Sequence, residues 1–256
     1  MSYTQEECEA ALLEAARRVG DSPTAREYQQ FDELPSRKTV AKRWGGWEEA
    51  KEAVGLESRQ TSEWRKKPLN RSYFDEVDTT EKAYWLGFLY GDGYVSLTDD
   101  HASCVLHLKE SDKSHIQKFI DAIDSGHKLQ QPKDGYRVKI GNKEFVESLV
   151  ELGCDRDKTT SEALPPLIGE ELRVAFTRGL FDADGTVVPE HIQIASSSEK
   201  QLEKVADWLP MDPPIYESEI YRLTFYGEKK RTFRDWLYPE GQDTEPSLTR
   251  KRDKMV

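Results

Sequence analysis

Two stretches of this chain say nearly the same thing, and they constrain its fold more than any other feature: WLGFLYGDG over residues 85–93 and TRGLFDADG over 177–185. Each is an apolar, helix-like run with small residues four apart, Gly87 and Gly91 in one and Gly179 and Ala183 in the other, closing on Asp-Gly. A spacing of four puts each small pair on one helical face. A face stripped of side-chain bulk lets two backbones approach, and a glycine after each aspartate permits a left-handed exit from the helix. Two such helices packed in parallel would bring Asp92 and Asp184 side by side at their ends. Carboxylates that close repel one another unless a cation or a shared proton lies between them.

The chain around the motifs is duplicated as well. Asp78 and Glu81 have the spacing of a capping box, so the first helix is expected over about 79–91. After Asp92-Gly93 come the alternating runs YVSL and CVLHL, a helix ended by Gly126, two more strand-like runs, HKLQQPKD and GYRVKIG, and the helix KEFVESLVELG. GTVVP, HIQIASSS, EKQLEKVADWL, PIYESE, IYRLTFYG and KRTFRDWL repeat that order after Asp184. An ungapped offset of 86 pairs Leu106, Leu108, Ser111 and Ile116 with Ile192, Ile194, Ser197 and Leu202. The expected class is therefore α+β, with two pseudo-symmetric αββαββα halves over about 73–155 and 170–240.

Helices on one face of each sheet leave the other face uncovered. On or near the strands fall His107, Lys109, Lys128, Gln130, Gln131, Arg137, Lys139, Gln193, Tyr221 and Arg222. These are the side chains that read base edges, although an antiparallel sheet also commonly turns a polar face to water. Only the set, on a duplicated sheet, carries weight.

Residues 1–56 read as a small three-helix module. TQEECEAALLEAARRV is amphipathic with Cys8, Leu12, Ala15 and Ala16 inward, Pro23 opens a second helix, and the third carries Arg37, Lys38, Lys42 and Arg43 with Val40, Trp44 and Trp47 for the core. A basic exposed helix suits DNA, and a solvated charged face explains it equally. Residues 57–72 form a polar linker with Arg65, Lys66, Lys67 and Arg71, and residues 241–256 a polar tail in which Arg250, Lys251 and Arg252 touch DNA or simply fray.

Composition excludes several classes. No run approaches a membrane span, the acidic N-terminus does not read as a secretory signal, and three scattered cysteines, Cys8, Cys104 and Cys154, suit a reducing, cytoplasmic compartment. Zinc-ligand spacing and a phosphate-cradling glycine loop are both missing from the sequence. The formal net charge of -11 weighs against a nucleic-acid partner but does not decide it, because a phosphate backbone responds to the local field of a groove.

The paired motifs resemble those of the single-chain LAGLIDADG homing endonucleases. The second matches through Gly179, Leu180, Asp182, Ala183, Asp184 and Gly185; the first has Tyr90 where the motif has its earlier aspartate. Ser22-Pro23-Thr24, Tyr28, Thr39-Val40, the run from Arg43 to Trp47 and the close at Leu56 resemble the small repeat attached to such enzymes, with Trp44 where phenylalanine is commoner. The resemblance implies a monomer whose uncovered sheets form a saddle on double-stranded DNA, and a staggered double-strand break supported by Mg2+, with Mn2+ as a substitute. Asp92 and Asp184 would be the metal ligands, and Lys143 and Lys229, with Lys230 as rival, the lysines beside each centre. The competing reading is a non-cleaving regulator on the same fold, or a maturase with RNA as its partner.

Overall fold

The computed structural model describes residues 3–57, 68–155, 164–241 and 244–255. The chain divides into two units, Met1–Pro68 and Leu69–Val256, each with its own apolar core.

In the first unit, Thr4 caps α1 (Gln5–Val19) by accepting from the Glu7 amide, while Glu7 bonds back to the Thr4 backbone. Thr24 opens α2 (Ala25–Tyr28) by the same device, so Pro23 precedes the cap and does not start the helix. The expected third helix is two: α3 (Arg37–Trp44) and α4 (Trp47–Ala53). Gly45 between them takes φ 85°, a left-handed conformation that ends α3 at no steric cost. Cys8, Leu12, Ala15, Tyr28, Val40, Trp47 and Ala50 build the core, whereas Ala16 and Trp44 are only partly buried. The Tyr28 hydroxyl donates to the Pro35 carbonyl at 2.9 Å and its ring meets Trp47 edge-on at 4.9 Å.

In the second unit, Thr79 and not Asp78 caps α5 (Thr80–Asp92), its hydroxyl accepting from the Lys82 amide. Asp78 instead pairs with the Lys82 ammonium at 2.7 Å. The first half continues through β1 (Gly93–Thr98), β2 (His101–Leu108), a 3-10 turn at Glu110–Asp112, α6 (Lys113–Ala122), β3 (Tyr136–Ile140) and α7 (Lys143–Glu151). The second runs through α8 (Glu170–Asp184), β4 (Gly185–Val187), β5 (His191–Ser196), α9 (Glu199–Asp207), β6 (Ile215–Glu217), β7 (Tyr221–Tyr226) and α10 (Gly227–Leu237). Both sheets are antiparallel, ordered β1-β2-β3 and β4-β5-β7-β6.

The strand expected in HKLQQPKD shrinks to a single bridge between Gln130 and Arg137. The next hydrogen-bonded pair toward the turn would need an amide from residue 132, which is a proline and has none. A second difference lies in register. Gly93 pairs with Leu106 and Gly185 with Ile194, so β2 and β5 correspond at an offset of 88, while the helix caps Asp112 and Ser198 keep the offset of 86. The longer turn before α6 absorbs the difference. A shift of two leaves every strand side chain on its own face.

Residues 244–255 of the expected polar tail are not frayed. Leu248, Lys251 and Met255 are buried, and a further helix, α11 (Thr249–Met255), packs against the second unit.

Candidate active site

The two motif helices pack backbone against backbone. A Cβ added to Gly87 would lie 2.0 Å from the Phe176 carbonyl oxygen, and one on Gly179 would lie 2.0 Å from that of Tyr84. One on Gly91 would meet the Ala183 methyl at 2.3 Å. Later residues of α5 thus face later residues of α8: the helices are parallel and finish together. Asp92 and Asp184 occupy the shared end, both exposed, and the Asp184 Oδ2 lies 3.0 Å from the Cβ position of Gly91 in the opposite helix.

The glycine after each aspartate is needed, but not for a left-handed turn. Gly93 and Gly185 are extended, with φ -77° and -76°. What excludes a side chain is proximity, since a Cβ would fall 2.4 Å from the carbonyl of Leu89 or of Phe181. Each aspartate therefore leads directly into β1 or β4, the edge strand of its sheet.

The earlier acid of the second motif does a different job. Asp182 is fully buried and accepts from the Leu248 amide at 2.6 Å, the Tyr84 hydroxyl at 2.8 Å and the Tyr238 hydroxyl at 3.1 Å. Burial raises its pKa to about 6 against the pull of those three donors. Because Tyr84 gives its proton to Asp182, its oxygen accepts from His115 Nε2 at 2.8 Å. His115 is itself buried, which lowers its pKa to about 4 and keeps it neutral. Arg178 is buried alongside, donating to the carbonyls of Leu237 and Thr244, each at 3.0 Å.

Neither expected lysine makes an ion pair with the exposed carboxylates. Lys143 is exposed in the first turn of α7 and pairs with Glu147 at 3.6 Å; Lys229 donates to the Asp212 carbonyl. The rival Lys230 donates to the carbonyls of Val188 and Pro189. Among the described residues, Lys251 brings an ammonium to the motif end, where it donates to the Phe181 and Ala183 carbonyls, each at 2.9 Å. Its pKa falls to about 8 because it is buried, with the charges of Asp182, Asp92 and Asp184 opposing that fall. A weak sequence signal existed: Leu248, Lys251 and Met255 follow a helical spacing.

The outward sheet faces carry most of the expected strand residues. Strand pairing puts Tyr94, His101, Val105, His107, Arg137 and Lys139 on the open face of the first sheet, with Gln130 bridged to Arg137. Thr186, His191, Gln193, Tyr216, Arg222, Thr224 and Tyr226 hold it on the second. No outward strand position on either sheet carries a carboxylate, although the chain has 48 acids against 37 lysines and arginines. Lys109 lies off the ladder, ahead of the 3-10 turn, Lys128 and Gln131 flank the lone bridge, and Tyr221 sits on the helix side opposite Glu217.

In the first unit, Lys38 and Lys42 are exposed on α3 and Arg37 is partly covered. Arg43 is exposed, but its guanidinium donates to the Tyr3 carbonyl, so it helps to hold α3 on the N-terminal strand of chain. Arg65, Lys66 and Lys67 of the linker lie outside the described residues.

Comparison with known proteins agrees with this geometry. Residues 171–234 match the LAGLIDADG-like domain family, and residues 3–57 match the homing endonuclease associated repeat. Beyond these two local matches, the second unit shares the fold of a LAGLIDADG homing endonuclease. Mesophilic variants of the homing endonuclease I-DmoI superpose with a TM-score of 0.51 at 19% identity, over 71% of this chain and 96% of theirs. The homing endonuclease I-WcaI bound to its DNA recognition sequence aligns with a TM-score of 0.49 at 13% identity, over 80% and 97%. The replication factor C small subunit of Methanocaldococcus jannaschii is 27% identical over 139 residues, which are 51% of this chain and 7% of that much longer one.

Proposed function

We propose that this chain is a site-specific DNA endonuclease that makes a staggered double-strand break at a long target, acting as a monomer whose halves each serve one strand. One observation carries the reading: two glycine-faced helices in backbone contact deliver two exposed carboxylates to the junction of two sheets whose outward strand positions carry no carboxylate, Asp134 reaching His107 at 3.5 Å only from the turn beyond the ladder. The fold it shares with the homing endonuclease I-DmoI supports the same reading.

The donor set fits a hard divalent cation. Among the described residues no group of three His, Cys, Asp or Glu side chains could hold a metal ion. Asp92 and Asp184 alone are therefore not a complete cage; their carboxylate oxygens are the donors a hard cation prefers, and they would hold magnesium, or manganese in its place, only with neighbouring backbone carbonyls, water and phosphate oxygens completing the shell. When bound, such a cation makes water more acidic and offsets charge on the phosphorus. The protein's own part is to fix the scissile phosphates over the helix ends. Arg137, Lys139 and Arg222 would follow phosphates or guanine edges, Gln130 and Gln193 adenine edges, and His107 either groove edge or backbone. Lys38 and Lys42 of α3 would lengthen the contact without choosing the site.

The test uses full-length protein on a randomised duplex library seeded with DNA that flanks its gene, in magnesium or calcium across a salt series. Cutting at one long site in magnesium, with binding alone in calcium, is the expected result. Asp184→Asn should then lose double-strand cutting by a thousandfold or more while DNA affinity falls less than about threefold. Tight binding with no product in magnesium or manganese would overturn the endonuclease reading in favour of a regulator. Equal loss of binding and cutting would remove Asp184 from the chemistry.

A further inference from the structure

We propose that the C-terminal segment 244–255 is a working part of the active site, in which the Lys251 ammonium, clamped on the last turn of α8, is a built-in counter-charge that sets how tightly Asp92 and Asp184 hold a divalent cation. This rests on the metal-dependent reading above and adds a residue to it.

A lysine that only filled space beside a protein surface would run its stem along apolar atoms and leave its ammonium in water. Lys251 does the reverse. It is 6% exposed, its ammonium lies 5.6 Å from the centre of the Phe181 ring, and it donates to two carbonyls of the turn that ends at Asp184. Those carbonyls sit at the negative end of α8, where a cation is favoured for that reason alone. The Ala183 carbonyl that Lys251 holds is one residue from Asp184, and the Asp184 Oδ2 lies 3.0 Å from the Cβ position of Gly91, the residue before Asp92.

The segment is held in place more firmly than a passive tail requires. The Leu248 amide binds Asp182 in the second half, and Arg178 of α8 holds the Thr244 carbonyl. From the first half, Asp112 takes Arg250 at 2.9 Å and Lys118 pairs with Glu245 at 2.6 Å. Fixed at both halves, the ammonium cannot withdraw when the site fills. A fixed positive charge beside two carboxylates lowers their affinity for a dication and steadies the pair before metal and DNA arrive. Lys251 is thus a positioning residue: it acts through the carboxylates and the α8 carbonyls.

The test compares wild type, Lys251→Gln, Lys251→Met and Lys251→Arg in the full chain. Manganese is titrated into each free protein by calorimetry, melting temperature is recorded, and cutting of the duplex selected by wild type is timed at saturating magnesium. Glutamine keeps a donor for the carbonyls without the charge, and methionine keeps the buried stem should glutamine not fold. Both uncharged variants should bind manganese several-fold more tightly than wild type yet cut at least tenfold more slowly, while arginine stays within about twofold in affinity. A purely structural lysine would lower the melting temperature and leave manganese affinity unchanged or weaker, and that result overturns the proposal while wild type still binds and cuts. Wild type that neither binds manganese nor cuts any duplex would remove the endonuclease reading itself, and the proposal with it.

Discussion

The two halves of the second unit follow one path and differ in how they are fastened. Tyr90 and Asp182 occupy the same place in their motifs, two residues before the exposed acid. In the first half the Tyr90 hydroxyl donates to the Leu152 carbonyl at the end of α7; in the second, Asp182 accepts from the Leu248 amide ahead of α11. Each ties its motif helix to a later stretch of chain, within the first half for Tyr90 and beyond the second for Asp182, one with a donor and one with an acceptor. The glycines show no such freedom, because each helix presses its carbonyls into the other's gap. Duplication therefore preserves what the backbone contact demands and releases the side chains around it to diverge.

The largest effect should come from restoring bulk to that contact. Gly87→Ala and Gly179→Ala each place a methyl about 2 Å from a partner carbonyl oxygen that cannot swing away. Each should cost more than about 4 kcal/mol, and the reciprocal geometry makes the two equal within about 1 kcal/mol. Ala183→Gly at the same seam should cost only about 1 kcal/mol, through backbone entropy and a small void. Urea unfolding would check the series. A Gly87→Ala protein within about 1 kcal/mol of wild type would mean that the helices are not in backbone contact.

Next in size is a difference in acid sensitivity. His115 of α6 corresponds to Gln201 of α9 by the shared helix offset of 86. Burial holds the folded pKa of His115 at about 4, below the ordinary 6.5 of the unfolded chain. A depressed pKa contributes stability that is present above 6.5 and is lost as pH falls through the folded value. Between pH 7 and pH 4 this single group should remove about 2–3 kcal/mol. His115→Gln, the residue the second half uses, should flatten that part of the profile when the two proteins are unfolded side by side at several pH values. Parallel profiles would show that His115 does not titrate in that buried position.

Which parts of this were legible in the sequence follows from range. The glycine pairs and the Asp-Gly closures could be read because backbone contact admits few residue types and repeats them at fixed spacing. The roles assigned within them were less secure, since Gly93 and Gly185 suit an extended exit and serve proximity. Alternation in HKLQQPKD suggested a strand, but one missing amide at Pro132 stops the ladder, and composition hides a single donor. The C-terminal segment was misread for a different reason. Its polar residues are polar because they bind buried carbonyls and carboxylates some 70 positions away, and no local pattern reports that distance. The same limit holds for the lysines: strand order points to Lys143 and Lys229, and no local pattern reports that the Lys251 ammonium donates to the carbonyls at the end of α8.

The smallest predicted effect sharpens the comparison of the open faces. Arg137 and Arg222 are equivalent when the sheets are matched on Gly93 and Gly185, but Lys139 corresponds to Thr224 and His107 to Ala195. The first face is thus the more basic, while Tyr216 and Tyr226 make the second more aromatic. A duplex lying across both would meet cations under one half-site and ring and methyl surfaces under the other, so the preferred half-sites should differ in sequence. Lys139→Thr, which copies the second half into the first, should weaken binding by about 1 kcal/mol or less and lower the slope of log affinity against log salt by roughly one. Thr224→Lys should raise that slope by a similar amount. If either substitution leaves the salt dependence unchanged, the phosphate backbone does not run over these strands, and the asymmetry between the faces would have to serve a partner other than DNA.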